Sequence, residues 1–177
     1  MRVSKRLLLI FTLLISCVGC DQTSKAVAKT YLSETEAISL LGGSVQLQVA
    51  KNYGAFLSIG DSLPAPWRSG LFLGGVSLVL LCLVVYSLLS KAATPCSVSA
   101  IALAVGGGFS NLIDRLQYGG YVVDFVNLGI GPLRTGVFNL ADVAIMTGVL
   151  TLVLSGWNVA VNCSGGMSTR RVERRKP

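Results

Sequence analysis

The chain contains no histidine among its 177 residues. A serine or cysteine nucleophile therefore has no imidazole to take its proton, and a zinc protease lacks its usual nitrogen ligands. A Ser-Lys dyad would have to recruit Lys25, Lys29 or Lys51, none of which sits in a recognisable motif. Cysteine is scarce too, with five in all. Cys17 and Cys20 make one C-x-x-C, but with no second pair that spacing indicates neither a metal nor a redox site, and there is no disulfide framework. Charge is the third shortage: 13% of residues are charged, against about a quarter in a soluble domain.

What fills the chain instead is apolar. Hydrophobic residues make up 52% of the sequence and the mean hydropathy is +0.67, which identifies a membrane protein. The formal charge of +7 is concentrated at the two ends. Arg2, Lys5 and Arg6 precede the first apolar run, and Arg170, Arg171, Arg174, Arg175 and Lys176 crowd the C-terminus. By the positive-inside rule both ends are cytoplasmic. A basic tail beside a bilayer marks the inner face or touches anionic lipid; with no interleaved aromatics, no nucleic-acid partner is expected.

Four apolar segments, at about 7–27, 70–90, 96–113 and 137–161, each approach the ~20 residues that cross a bilayer core. An even number of spans agrees with two cytoplasmic ends. The expectation is a single domain over 1–166, with outer loops at 28–69 and 114–136 and a disordered basic tail at 167–177.

The first segment has two readings. Leu14-Ile15-Ser16-Cys17 has the form of a lipobox, the site at which a lipoprotein precursor is lipidated and cut. Taken from Leu7 to Cys20 the run gives only about 21 Å of helix, which suits a signal peptide. Continued through Val27 it crosses, and it then sets Asp21 and Lys25 one turn apart on one face, able to pair. Cleavage would leave three spans and detach that pair from its helix.

In the first outer loop, 44–49 alternates apolar with polar and reads as a strand, with 54–59 its expected partner. Pro64 and Pro66 are expected to break the chain ahead of Trp67, an interfacial anchor. In the second outer loop 121–125 is β-prone.

Of the eight acids, only Glu173 falls on the cytoplasmic side; Asp21, Glu34, Glu36, Asp61, Asp114, Asp124 and Asp142 fall in the outer loops or at the outer ends of spans. Ionisable groups in apolar segments are costly, so Asp114 and Asp142 are functional candidates. The third and fourth spans share one short outer loop, so Asp124 and Asp142 can meet at one depth. Two carboxylates sharing a site cannot both ionise easily, so one keeps a proton while the other acts as base on water. The competing reading is structural, since polar residues in spans often join helices; Asn111, Asp114 and Arg115 suit that role. Gly106-Gly107-Gly108 lies in mid-span and reads as a helix contact. Acids confined to one face form no path across a membrane, which argues against a transporter.

These residues fall into five ordered motifs, through which the chain resembles the bacterial lipoprotein signal peptidases (signal peptidase II), membrane aspartyl peptidases. Asp-Gln-x-x-Lys is matched by Asp21, Gln22 and Lys25, and Asn-x-Gly-Ala by Asn52, Gly54 and Ala55. Gly-x-x-x-Asn-x-x-Asp-Arg is matched by Gly107, Asn111, Asp114 and Arg115, Val-x-Asp-Phe by Val122 to Phe125, and Phe-Asn-x-Ala-Asp by Phe138 to Asp142. The resemblance implies an all-α membrane protein, a four-helix transmembrane bundle with a small outer β-sheet cradle, in the bacterial inner membrane with its site toward the outer face. It implies Asp124 and Asp142 as catalytic, Asn52, Gly54, Asn111, Arg115 and Asn139 as shaping the site, and Asp21, Lys25 and Asp114 as support. Asn139, three residues before Asp142, is expected on the same helical face. Lipidated prolipoproteins and membrane lipid are the implied partners, with a monomer acting alone and no metal or cofactor. In the second motif the aromatic comes one position early, at Phe56, which alters the face it would take in a strand.

Overall fold

The computed structural model describes residues 1–55, 60 and 62–155. Among these, helix α1 runs unbroken over Val3–Tyr31, about 44 Å at 1.5 Å per residue. The lipobox-like stretch lies in its middle, and the helix continues past Cys20 as the longer of the two readings requires. Helix α2 covers Ala65–Leu89, α3 Pro95–Gln117 and α4 Leu140–Ser155. The first three are long and apolar enough to cross a membrane; α4 is apolar and shorter over its described length. The expected continuation of the fourth span to 161, and the tail beyond it, lie outside the described residues.

Three boundaries differ from expectation. Pro64 and Pro66 do not break the chain; they open α2, with Pro64 as its cap and Pro66 within the first turn, where a missing N–H costs nothing. The third helix extends beyond residue 113, so Asp114 and Arg115 sit on its last turns rather than in the outer loop. Asn139 is the cap ahead of α4, not a residue on its face.

Strands β1 (Ile38–Leu40), β2 (Val45–Asn52), β3 (Val122–Ile130) and β4 (Leu133–Arg134) pair antiparallel in that order. The alternating stretch is thus a strand, as read from its pattern, but its neighbours are β1 and β3. Of the partner expected at 54–59, residues 56–59, including Phe56, are outside the described set. One irregularity matters: between Leu47 and Ala50 the register against β3 slips, so that Leu47 faces Val126 and Ala50 faces Asp124. This bulge sets the face on which Ala50, Asn52 and Asp124 lie together.

The bundle is built with its polar residues inside. Leu8, Phe11, Leu78, Val79 and Leu81 are largely exposed on the outer faces of α1 and α2, whereas Asp21, Lys25, Asp114 and Arg115 are buried. That inversion is stable when the surroundings are lipid. Helix α3 is the central post, capped by the Thr94 hydroxyl, which accepts from the Ser97 N–H at 3.1 Å. Its three consecutive glycines face three different helices. A Cβ on Gly106 would lie 2.8 Å from that of Cys17 in α1, one on Gly108 would lie 2.8 Å from Leu80 in α2, and one on Gly107 would lie 2.3 Å from the Ala141 carbonyl oxygen in α4. The opposite end of the bundle is tied by Arg6, whose guanidinium donates to the carbonyls of Ser87, Ser90 and Ala93 at 2.7 to 3.2 Å.

Gly107→Ala is expected to destabilise the protein by about 1–3 kcal/mol through overpacking against backbone. Gly19→Ala, with nothing within 4 Å, is expected to be neutral. Thermal midpoints of the two variants in detergent check this, and equal midpoints would refute the close-contact role.

Candidate active site: two aspartates held by neutral amides

The site begins with one positive charge. Lys25 Nζ lies 2.6 Å from Asp21 Oδ2, one turn earlier on α1, and 2.9 Å from Asp114 Oδ2 on α3. All three side chains are almost wholly buried. The pairing of Asp21 with Lys25 is the one anticipated from their spacing. Two further residues complete the cluster: Ser110 Oγ donates to Asp21 at 2.7 Å, and Gln22 Nε2 donates to Asp114 at 2.7 Å.

Each acid of this cluster also grips backbone. Asp114 Oδ2 accepts the N–H of Val123 at 3.0 Å, and Asp21 Oδ1 accepts the N–H of Ala141 at 2.9 Å. Val123 immediately precedes Asp124, and Ala141 immediately precedes Asp142. The buried ion cluster therefore fixes β3 and α4 at the residues adjoining the two aspartates.

Asp124 and Asp142 are brought together around Asn139. Its side-chain amide donates to Asp124 Oδ1 at 2.6 Å, and its backbone N–H donates to Asp142 Oδ2 at 3.2 Å. Asp142 returns a bond from its own N–H to Asn139 Oδ1 at 2.9 Å. Asn139 at the cap and Asp142 at the third helical position thus form a reciprocal capping box, which explains why asparagine and aspartate occur at this spacing. The remaining oxygens are met by two more amides: Asn52 Nδ2 donates to Asp124 Oδ2 at 2.9 Å, and Asn111 Nδ2 to Asp142 Oδ1 at 3.0 Å. Every side-chain or backbone donor to the pair is neutral among the described residues. Lys25 acts at one remove, donating at 3.0 Å to Asn111 Oδ1. A cation in direct contact would strongly favour both carboxylates ionised; the amides orient them and favour ionisation only through their hydrogen bonds, adding no charge.

Burial and the neighbouring Asp142 carboxylate push Asp124 on β3 up to about 7, against the opposing hydrogen bonds from Asn52 and Asn139. Such a group holds a proton near neutrality.

Gly54 and Arg115 frame the site's edge. The Gly54 N–H donates to Asn52 Oδ1 at 2.9 Å and its carbonyl accepts from Arg115 Nη2 at 2.6 Å. Arg115 also lies over the Phe72 ring, 5.1 Å from its centroid. A cavity of about 290 Å³ opens beside these groups. Asn52, Asn111, Arg115 and Asp142 give it a polar wall, and Phe72, Val76, Ile145 and Met146 an apolar one. Phe72 reaches it from a π-helical turn over Gly70–Gly75, a distortion frequent at functional sites.

All ten residues singled out in the sequence therefore fall in one connected network. Ser110 and Phe72 were not singled out. Ser110 adjoins Asn111 within the third motif and was available from that position; the role of Phe72 depends on the π-turn, which no local pattern announces.

A family model described as Signal peptidase (SPase) II matches residues 13–158. The lipoprotein signal peptidase of Syntrophomonas wolfei subsp. wolfei is 38% identical over 134 residues, covering 76% of this chain and 83% of that protein. The lipoprotein signal peptidase of Cronobacter sakazakii is 36% identical over 138 residues, covering 77% and 81% respectively. The fold matches that of a solved bacterial membrane enzyme with a TM-score of 0.76 at 23% identity, covering 86% of this chain and 90% of the other. A second solved bacterial membrane enzyme gives a TM-score of 0.67 at 22% identity, covering 82% and 90%.

Two outcomes are expected. Lys25→Met leaves two buried acids without their cation and is expected to cost about 3–5 kcal/mol, read as a lowered thermal midpoint in detergent. Adding Asp21→Asn and Asp114→Asn should restore part of the loss; a Lys25→Met protein melting like the native one would refute the strut. For pH, the folded protein retains a proton on Asp124 that the unfolded chain has lost, so this group's contribution is fully present below about 4 and is lost as pH rises through about 7. Melting at pH 4 to 8 should show this slope in the native protein and less of it in Asp124→Asn.

Proposed function

The chain belongs to the signal peptidase II family and removes signal peptides from prolipoproteins, and from that premise we propose that it does so as an aspartic endopeptidase with Asp124 and Asp142 as its dyad. The observation that carries the reading is the pair of buried carboxylates from β3 and α4, bridged by Asn139 and touched only by neutral donors among the described residues. Such a pair can divide one proton between two jobs. One member draws a proton from water as its oxygen attacks the scissile carbonyl carbon, and the other donates to the carbonyl oxygen. Collapse of the resulting gem-diol breaks the C–N bond as a proton passes to the leaving nitrogen. No covalent intermediate with the protein forms.

In this reading Asn52, Asn111 and Asn139 orient the dyad, while Gly54 and Arg115 shape the edge of the cleft. Asp21, Lys25 and Asp114 form the strut behind it. The scissile bond is the one immediately before a diacylglyceryl-modified cysteine. The apolar wall of Phe72, Val76, Ile145 and Met146 supports this, because it offers a lipid-compatible approach to the carboxylates. Lipid anchoring would hold the bond at the depth of the dyad, replacing a search through bulk with one in two dimensions.

The proposed setting is the bacterial inner membrane, with four spans, both termini cytoplasmic and the dyad toward the outer face. It rests on the basic residues flanking the apolar runs and on Arg6 lying beside the 89–95 turn, at the end remote from the sheet. A monomer suffices, since one chain supplies the dyad and its supports.

Purified protein in detergent, given a lipidated prolipoprotein, is expected to cleave it before the modified cysteine and to spare the unlipidated form. Asp124→Asn and Asp142→Asn are each expected to lose turnover by several orders of magnitude while keeping the native fold. Mass spectrometry of the products and of the protein's own N-terminus reads both points. Near-native cleavage by either variant would overturn the dyad, and a chain beginning at a lipidated Cys17 would mark it as a substrate instead.

A further inference from the structure

Among the described residues the two aspartates accept the same number of hydrogen bonds but from different kinds of donor. Asp142 stands at the third position of α4, where its carboxylate accepts the N–H of Asn139 at 3.2 Å and its own N–H binds the asparagine side chain. The first turn of a helix presents unpaired N–H groups and the positive end of its dipole, both of which favour negative charge. Asp124 stands in strand β3, whose dipoles nearly cancel, and among the described residues its oxygens accept only the side-chain amides of Asn52 and Asn139.

Access differs in the same sense. Asp142 is 7% exposed and lines the cavity; Asp124 is 1% exposed and lies deeper. Ionisation is dearer for the deeper group. Asn111 relays Lys25 most directly to Asp142, since its carbonyl oxygen accepts from Nζ and its amide donates to Asp142 Oδ1, whereas Asp124 is reached only through a second asparagine, Asn139. The charged neighbours do not reverse this. Asp124 faces Asp142 on α4, Lys25 on α1 and Arg115 on α3; Asp142 faces Asp124, Arg115 and, on α1, Lys25 and Asp21. Lys25 lies within 3 Å of both Asp21 and Asp114, so the charge that Asp21 turns toward Asp142 has the ammonium directly beside it.

Resting on the aspartic reading above, we propose that the dyad is asymmetric, with Asp142 the ionised member that takes the proton from water and Asp124 the member that carries a proton to the substrate. Water oxygen bonds to the carbonyl carbon of a peptide whose oxygen enters between the two side chains. Asp142 gains the water proton and Asp124 passes its own to the carbonyl oxygen, giving a neutral gem-diol. Asp142 then protonates the leaving nitrogen while Asp124 takes a proton from one diol hydroxyl as the C–N bond breaks. The products are a carboxylic acid and an amine, and the dyad returns to its resting state with the proton on Asp124.

Carbon NMR of the full chain in detergent, with aspartate labelled at the side-chain carboxyl, tests it without turnover. Resonances are assigned by their loss in Asp124→Asn and Asp142→Asn, or in the corresponding Glu variants should an Asn variant not fold. At pH 6 the native Asp124 resonance should have the shift of a protonated carboxyl and titrate near neutrality, while Asp142 has that of a carboxylate. A protonated Asp142 beside an ionised Asp124, two ionised groups, or two that titrate together would overturn the assignment. Activity reports separately: an active protein with the reversed pattern sinks only the asymmetry, and near-native turnover in either Asn variant sinks the aspartic reading itself.

Discussion

The fold of this protein turns on the amino group of Lys25, shared between Asp21 and Asp114 where burial removes all three from the surface. Two acids and one base leave a buried net charge, and the structure meets it by giving every oxygen of the two carboxylates at least one partner. Ser110 and Gln22 take some; backbone N–H groups of Val123 and Ala141 take others. Desolvation makes such a cluster weak as a source of stability but unforgiving of displacement. Because its outer bonds land one residue before each aspartate of the dyad, that intolerance is passed directly to the reacting groups.

Around the dyad the same chain switches from ions to amides. Asn52, Asn111 and Asn139 each present one oxygen and one NH2 group, so each both accepts and donates, and together they link Lys25, Gly54 and the two carboxylates without adding charge. An arginine or lysine in any of these places would shift both acids toward ionisation and remove the division of labour that acid–base catalysis needs. Arg115, the one cation at the cavity wall among the described residues, is turned toward the Gly54 and Asn111 carbonyls and the Phe72 ring instead.

Much of this was legible from sequence, though for uneven reasons. The Asp21 and Lys25 pair follows from helical spacing alone. The glycine run announced close packing, but that three successive glycines serve three different helices is a property of α3's central position. The meeting of Asp124 with Asp142 was inferred from the shared outer loop, whereas the means of meeting, Asn139 as a helix cap, was read as a matter of helical face. The bulge in β2 and the π-turn before Phe72 were not legible, because both are irregularities that arise when an element satisfies its tertiary neighbours at the expense of its own period. Pro64 and Pro66 show the converse, a breaker by composition that starts a helix by position.

The bonds of the first helix carry a schedule. Asp21 has its Lys25 partner within one turn, but Asp114 lies 89 residues after Lys25, Ala141 lies 120 residues after Asp21, and the carbonyls that receive Arg6 lie 81 to 87 residues downstream. At about 5–20 residues per second, the ribosome delivers the first of these partners only after some seconds and the last only when the fourth helix emerges. Until then α1 holds its buried charge as an internally neutralised pair, in which form it can wait in the membrane. The local salt bridge is thus an arrangement for the interval of synthesis as well as for the finished protein.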